Sequence, residues 1–297
     1  MEVDAQRVVI GLTTGAVYGL LALGFVVIYR ASKVLNFAEA GVGAVGAYLL
    51  YDLMEGSGGG WGRFLLAMVV GLAAAALLGV AIERLAIRPL RRAPAIAPLV
   101  ATVGVLLLAQ AVVTIRYTGQ AVTIENPLPS DPYHIGRFVG LDRVVITGEG
   151  TVLLAVLMAV SLALILLVGR TRWGLAVRAV SEDLDSAAEL GVRTGRVSMS
   201  AWALGSAVGA LASMLFATTS LLTPVNLAFL QVKALVVAVF AGLSDLRLCL
   251  IGGPLLGVVE QLSTRTDVAG LDQSIGFFAL LAVLLLRSKT LVAEARA

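Results

Sequence analysis

This 297-residue chain is nearly empty of two residue types that carry much of protein chemistry: it has one cysteine, Cys249, and one histidine, His134. A lone cysteine excludes an internal disulfide and any multi-Cys metal site. A lone histidine excludes His-rich metal sites and leaves His-based catalysis without a basis. Charge is scarce too, with Asp, Glu, Lys and Arg at 14% against about 25% in an ordinary soluble domain. No G-x-x-x-x-G-K-[ST] run occurs, so there is no phosphate-cradling loop and the chain is not its own ATPase. There is no G-x-S-x-G elbow. Gly205-Ser206 sits in an apolar run, but no His lies in any such run, so a Ser–His pair for intramembrane proteolysis is not available. Glu182, Asp183, Asp185 and Glu189 lack metal-ligand spacing and read as a solvated or partner-facing helix. The expectation is no catalytic residue, no metal, no cofactor and no nucleic-acid partner.

What the chain has in quantity is apolar sequence, 59% of its residues. Apolar runs fall at about 8–29, 34–51, 64–83, 95–115, 151–168, 198–221, 225–244, 248–262 and 273–286, most of them close to the ~20 residues that cross a bilayer as a helix. This predicts an all-α, polytopic transmembrane helix bundle of about 8–9 spans, one domain over 1–297. No small-residue cleavage site follows the first run, which is therefore expected to stay as a span. Two runs are unusual. The run 248–262 is short and broken by Gly252, Gly253 and Pro254; the run 34–51 opens on Asn36 and Glu39 and continues with Gly41, Gly43 and Gly46. Such segments are either discontinuous helices lining a pathway or sites of close helix packing through small residues; packing is the expectation.

The loops set orientation. With nine spans, one set of loops holds Arg30, Lys33, Arg84, Arg88, Arg91, Arg92, the five arginines of 170–196, Arg247, Arg287, Lys289 and Arg296. The other holds Arg7, Arg63, Arg116, Arg137, Arg143 and Arg265, a ratio of 15 to 6. Basic loops stay in the cytoplasm, so the N-terminus is expected outside and the C-terminus inside. The loop 116–150 is then external, with an irregular course expected from Pro127, Pro129 and Pro132.

One segment does not belong in lipid. Residues 170–196 read RTRWGLAVRAVSEDLDSAAELGVRTGR, with five arginines and four acids between long apolar runs. The acids near Asp183 suit a helix N-terminus, Leu184, Ala187, Ala188 and Leu190 recur at helical spacing, and Gly191 offers a left-handed stop. A short helix over roughly 183–190 is expected, either resting on lipid or docking a soluble partner. The acids disfavour an anionic leaflet, so docking is the expectation.

Within that segment, RTRWGLAVRAVSEDLDSAAELGV resembles the cytoplasmic loop of bacterial ABC importer permeases of the branched-chain amino acid class. VLNFAEAGVGAVGAY at 34–48, ERLAIRPLRRAPAIAPLVATVGVLLLAQ at 83–110, VKALVVAVFAGL at 232–243 and IGGPLLGVVE at 251–260 resemble the same family in the same order. The likeness is to the LivH-type member of the two paired permeases. It implies a permease subunit in the bacterial inner membrane, with a second, paralogous permease, two cytoplasmic ATPases and an extracytoplasmic substrate-binding protein as partners. It implies that 170–196 is the coupling segment, with Leu184, Ala187, Ala188, Glu189, Leu190 and Gly191 meeting the ATPase. Two departures stand out: Glu39-Ala40 follows Asn-Phe-Ala where the family often has His or Gln followed by Gly, and Ser244–Leu248 replaces a Gly-Ser, Pro-Gly turn.

Asn36, Glu39 and Lys233 are the pathway candidates. A charge at mid-membrane costs about 2.5–3.5 kcal/mol on insertion scales. Glu39 follows Lys33 closely and is expected near the cytoplasmic end, solvated or paired; Lys233 is expected to pair or snorkel. Intramembrane charges and broken helices also suit a stand-alone secondary transporter or channel, which would gain nothing from a docking helix at 183–190. An intramembrane enzyme lacks a catalytic constellation.

Overall fold

Backbone groups in hydrocarbon find no water, so the chain must satisfy them within itself, and helices do so residue by residue. The computed structural model describes residues 2–56, 58, 60–94, 96–125, 127–129, 131–134, 144–264, 274, 278 and 279. Its helices are α1 (Glu2–Ser32), α2 (Glu39–Met54), α3 (Trp61–Ile82), α4 (Ile96–Tyr117), α5 (Gly148–Arg170), α6 (Arg172–Glu182), α7 (Leu184–Glu189), α8 (Thr194–Thr219), α9 (Pro224–Phe240) and α10 (Leu246–Ser263). Helix α3 runs on through a π-turn, Glu83–Ile87, into a 3₁₀ turn, Arg88–Arg92. Pro89 lies in the latter and has no N–H for the carbonyl of Leu85, which ends regular α geometry there.

The fold is all-α and polytopic. Six of the described helices are long and apolar enough to cross a membrane: α1, α3 with its continuation, α4, α5, α8 and α10. α2 and α9, at 16 and 17 residues, fall short by length. The expected run 273–286 and the C-terminal end lie outside the described residues. Large apolar side chains on α3 and α4 face outward, among them Leu66, Leu77, Leu108 and Ile115. That is the surface of a helix bathed in lipid rather than water.

Helix α1 is the centre. Its residues from Ala16 to Ile28 are almost wholly buried against α8, α9, α10 and α5. Its contact with α10 is built on small residues one turn apart: Gly11, Gly15 and Gly19 face Cys249, Gly253 and Gly257. A Cβ on Gly11 would lie 2.6 Å from the Cα of Val258, and one on Gly19 3.1 Å from the carbonyl oxygen of Cys249. This is backbone-to-backbone packing, the means of association open to helices without a hydrophobic drive between them. The break suggested by Gly252, Gly253 and Pro254 is absent. α10 continues through Pro254, and Gly253 serves the α1 contact.

Helix α8 makes the second layer of close contacts. Gly205 meets Gly24 of α1, Ser213 meets Gly43 of α2, and Ser206 meets Gly79 of α3. The pairings make α1 and α3 antiparallel to α8 and α2 parallel to it. Most basic residues therefore gather at one end of the bundle, where Arg30 donates to Ser244 O at 3.2 Å and Arg88 approaches Gly195. At the opposite end, β1 (Pro132–His134) pairs antiparallel with β2 (Val145–Thr147), and Val122 bridges Leu222. The loop 116–150 is thus more ordered in its described parts than its prolines suggest.

The α1–α10 contact sets a sharp expectation. Gly15→Val would drive a side chain into the backbone of Gly253 and Pro254, and overpacking of this kind costs about 1–3 kcal/mol or more. Gly104→Ala on α4, with open space around it, should gain up to about 1 kcal/mol of helix propensity. Thermal unfolding of the detergent-solubilised protein checks both; equal melting temperatures for the two variants would contradict the contact.

Candidate functional site

The chain breaks between α1 and α2, and the break is inside the bundle. α1 is closed by Lys33, in the left-handed region at φ 56° with its N–H on Tyr29 O, and residues 34–37 return into the interior outside regular helix. Irregular backbone at such depth persists only where protein satisfies it. Here three side chains do so. Phe37 N–H donates to Thr102 Oγ1 at 3.2 Å, and Thr102 Oγ1 donates to Leu35 O at 3.2 Å. Ala38 N–H donates to Asn36 Oδ1 at 3.1 Å. Gln231 on α9 bonds twice, accepting from Ala40 N–H at 2.8 Å and donating to Phe37 O at 2.8 Å. α2 therefore starts as a half-helix whose N-terminus is capped from α9. The sequence reading found Asn36 but not Thr102 or Gln231; two polar residues in apolar runs were the only available signal.

Glu39, the first residue of α2, is not near the basic end of the bundle, where Lys33 lies. It is fully buried between Gly24 of α1 and Gly209 of α8. Gly24 lies eight residues before the end of α1, roughly 12 Å in along the axis. Neither carboxyl oxygen has a hydrogen-bond partner among the described residues, and Nδ2 of Asn36 is likewise unpartnered. The expectation of a solvated or paired Glu39 is overturned. The glycines explain it: Gly24 and Gly209 leave a slot between α1 and α8 that a larger residue at either position would fill.

Lys233 on α9 does pair, with a residue the sequence reading passed over. Its Nζ forms an ion pair with Glu260 of α10. It also donates to Tyr18 Oη at 3.2 Å and lies 5.3 Å from the centre of the Tyr18 ring, within cation–π range. Tyr18 Oη in turn donates to Glu260 Oε2 at 2.8 Å. The two charged side chains are only 16% and 14% exposed, so their mutual neutralisation is what makes this depth tolerable.

At the basic end, α6 and α7 form a helix pair. α6 buries Gly174, Val177 and Val180, and Trp173 Nε1–H donates to Ser200 Oγ on α8 at 2.7 Å. α6 was not foreseen as a separate helix; its apolar spacing was the signal. α7 spans Leu184–Glu189, close to the expected 183–190. Asp183 caps it, accepting from Ser186 N–H at 2.5 Å, and that bond holds the Asp183 carboxyl below the usual carboxylate range. Gly191 follows at φ 84°, the left-handed stop. Ala187 does not share a face with Leu184, Ala188 and Leu190: it is 2% exposed and packs inward, while Leu184, Ala188, Glu189, Leu190 and Gly191 are exposed. Leu190 is 84% exposed.

Residues 7–286 match a family described as "Branched-chain amino acid transport system / permease component". The chain belongs to that family. It is 30% identical over 295 residues to the high-affinity branched-chain amino acid transport system permease protein BraD of Pseudomonas aeruginosa, covering 95% of this chain and 93% of that one. It is 28% identical over 286 residues to the corresponding permease protein LivH of Escherichia coli, covering 94% and 92%. To a probable branched-chain amino acid transport permease protein LivH of Methanocaldococcus jannaschii it is 26% identical over 249 residues, covering 82% and 76%. No solved structure matches the chain. Membership makes this a multi-pass inner-membrane transport subunit, with ATP hydrolysis left to other subunits, in line with the missing phosphate-cradling loop.

An unpartnered carboxyl group in a slot this tight gives a definite expectation. Glu39→Gln keeps the volume and replaces the unpartnered carboxyl group with a neutral amide, so it should preserve or raise the melting temperature. Glu39→Ala leaves a cavity and should lower it. A Gln variant markedly less stable than the parent would mean that Glu39 holds an ionic partner.

Proposed function

We propose that this chain is one of two membrane halves of an ATP-driven importer of branched-chain amino acids or related small polar solutes. A paralogous permease supplies the second half, two cytoplasmic ATPases supply the stroke, and an extracytoplasmic binding protein delivers the solute. The chain acts as a single permease domain over 1–297. The half-helix α2 and the short α9 complete crossings begun by neighbouring residues, which with the six long helices makes eight, and the apolar run 273–286 supplies the ninth. The basic end faces the cytoplasm under the positive-inside rule, with the N-terminus outside and the C-terminus inside. Among described residues the asymmetry is twelve basic residues to three: Arg30, Lys33, Arg84, Arg88, Arg91, Arg92, Arg170, Arg172, Arg178, Arg193, Arg196 and Arg247 against Arg7, Arg63 and Arg116.

The observation that carries this reading is α7, a capped, exposed helix at the basic end, anchored by one buried alanine. A helix that presents Leu184, Ala188 and Leu190 to solvent leaves apolar surface that a partner's groove would cover. Ala187 is the anchor; Leu184, Ala188, Glu189, Leu190 and Gly191 meet the ATPase, and residues 170–196 form the coupling segment. Asn36 and Glu39, at the start of the half-helix, sit where a pathway between repeats or subunits opens in transporters with discontinuous helices.

Ala188→Trp should unseat α7 from its groove and abolish uptake, together with stimulation of ATPase activity by loaded binding protein, while membrane abundance stays normal. Gly191→Val strains a left-handed stop by about 1 kcal/mol or more and should weaken both. Reconstituted vesicles give both readouts. Intact coupling in the Trp variant would place α7 on lipid instead, where Trp is at home.

Topology has its own check in single cysteines on a Cys249→Ala background. An impermeant thiol reagent on intact cells should label Glu55→Cys and Gln120→Cys and spare Glu189→Cys and Ser288→Cys. Labelling at position 189 would invert the orientation, and labelling at 288 alone would change the span count.

A further inference from the structure

The Lys233, Glu260 and Tyr18 cluster borders a cleft of ≈140 Å³ between α1, α8 and α9, lined by Tyr18, Phe216, Asn226, Phe229, Leu230 and Lys233. Phe216 also lines a larger cavity at the end opposite the basic one, with Thr13, Thr147 and Thr219, so the cleft lies beside a cavity at that end. We propose that this cleft is a membrane-embedded binding site for a zwitterionic α-amino acid with an apolar side chain, a transit site distinct from whatever holds the solute outside the membrane. The proposal rests on the import reading above.

The hydrogen-bonding inventory supports it. Lys233 has three N–H donors, of which Glu260 and Tyr18 take two. Asn226 spends one N–H on Leu221 O at 3.0 Å, and its second N–H and its Oδ1 make no side-chain bond among the described residues. One donor on Lys233 and one on Asn226 thus remain, the pair a carboxylate needs. On the acceptor side of the cleft wall, Asn226 Oδ1 and the second lone pair of Tyr18 Oη remain, a set an ammonium can use. The walls are apolar: Phe216, Phe229 and Leu230 offer ring and methyl surface to a hydrocarbon side chain.

Charge balance decides the class of ligand. Lys233 and Glu260 neutralise each other, so the cleft carries no net charge to attract a simple ion. A lone anion or cation entering here would create an unbalanced charge at membrane depth, with its full cost. A zwitterion brings none, and its two ends match the two unspent sets of groups. A structural pair needs no cleft beside it and no Asn226 at its rim.

The test uses the four-component importer in vesicles, with no binding protein during the protection step. Phe229→Cys on the Cys249→Ala background puts a thiol on the cleft wall. L-Leucine at millimolar concentration should slow its alkylation by N-ethylmaleimide severalfold. 4-Methylpentanoate, which lacks the ammonium, and isoamylamine, which lacks the carboxylate, should give no protection. A second arm uses Lys233→Gln with Glu260→Gln, which removes both charges and keeps two hydrogen-bonding amides between α9 and α10. The double variant should co-purify with its partners at normal yield and lose uptake about tenfold or more, the scale of losing a desolvated charged contact. Leucine uptake by the wild-type importer, with no protection at position 229 and near-normal uptake in the double variant, overturns the site and leaves the import reading standing. Absence of uptake of leucine, isoleucine and valine by the wild-type importer overturns the import reading itself.

Discussion

The contact on which the rest of this bundle depends is the approach of α1 to α10 through Gly11, Gly15, Gly19, Cys249, Gly253 and Gly257. In lipid there is little hydrophobic gain from pairing helices, so stability has to come from close packing and from polar groups that find partners. Backbones at this separation also fix where longer side chains can reach. Tyr18 projects beside Gly19, and Glu260 follows Gly257 by one turn. The glycine seam therefore sets the position from which Tyr18 and Glu260 meet each other and Lys233. A single α1 seam thus determines both the packing and the geometry of the most polar cluster in the membrane interior.

The same reliance on small residues explains the other unusual feature, the interrupted entry into α2. A bundle with large residues at Gly24 and Gly209 would have no slot for Glu39. It would have no reason to bring residues 33–38 back inside either. With the slot present, the returning strand needs its backbone satisfied, and Thr102 and Gln231 supply what a continuous helix would have supplied. The cost of an irregular segment is met by side chains from two other helices, which ties α2, α4 and α9 together at one level.

Much of this was legible in the sequence and part of it was not. The all-α, multi-pass class followed from apolar runs of spanning length, and α7 with its Asp183 cap and Gly191 stop followed from local chemistry that depends on few neighbours. The failures share one physical cause. Glu39 looked close to the cytoplasm because it is close to Lys33 in sequence, but the chain folds back, and depth is a property of three helices rather than of one. Glu260 was invisible as a partner because it lies 27 residues from Lys233 on another helix. Ala187 was assigned to an outward face on spacing alone; which side of a six-residue helix points inward is decided by α6 and α8, which the spacing of α7 does not encode.

On the proposed mechanism, these features lie on one physical path. α7 follows α6 across the single extended residue Asp183, and α6 is pinned to α8 by Trp173 and Ser200 and rests on α1 and α5. A displacement of α7 by a partner therefore loads α8 and α1 first. Those two helices hold Glu39 between Gly24 and Gly209, and α1 carries Tyr18. Contiguity alone does not establish coupling; it requires an element with two arrangements that both ends bias. The junction of α1, α2 and α8 has the ingredients: a carboxyl group and an Asn36 Nδ2 without partners among the described residues, and a helix start held by one glutamine. Groups satisfied in one arrangement would resist moving. Groups left without partners in this one have something to gain in another, and that makes the start of α2, rather than the tightly knit α1–α10 seam, the place where the two states differ.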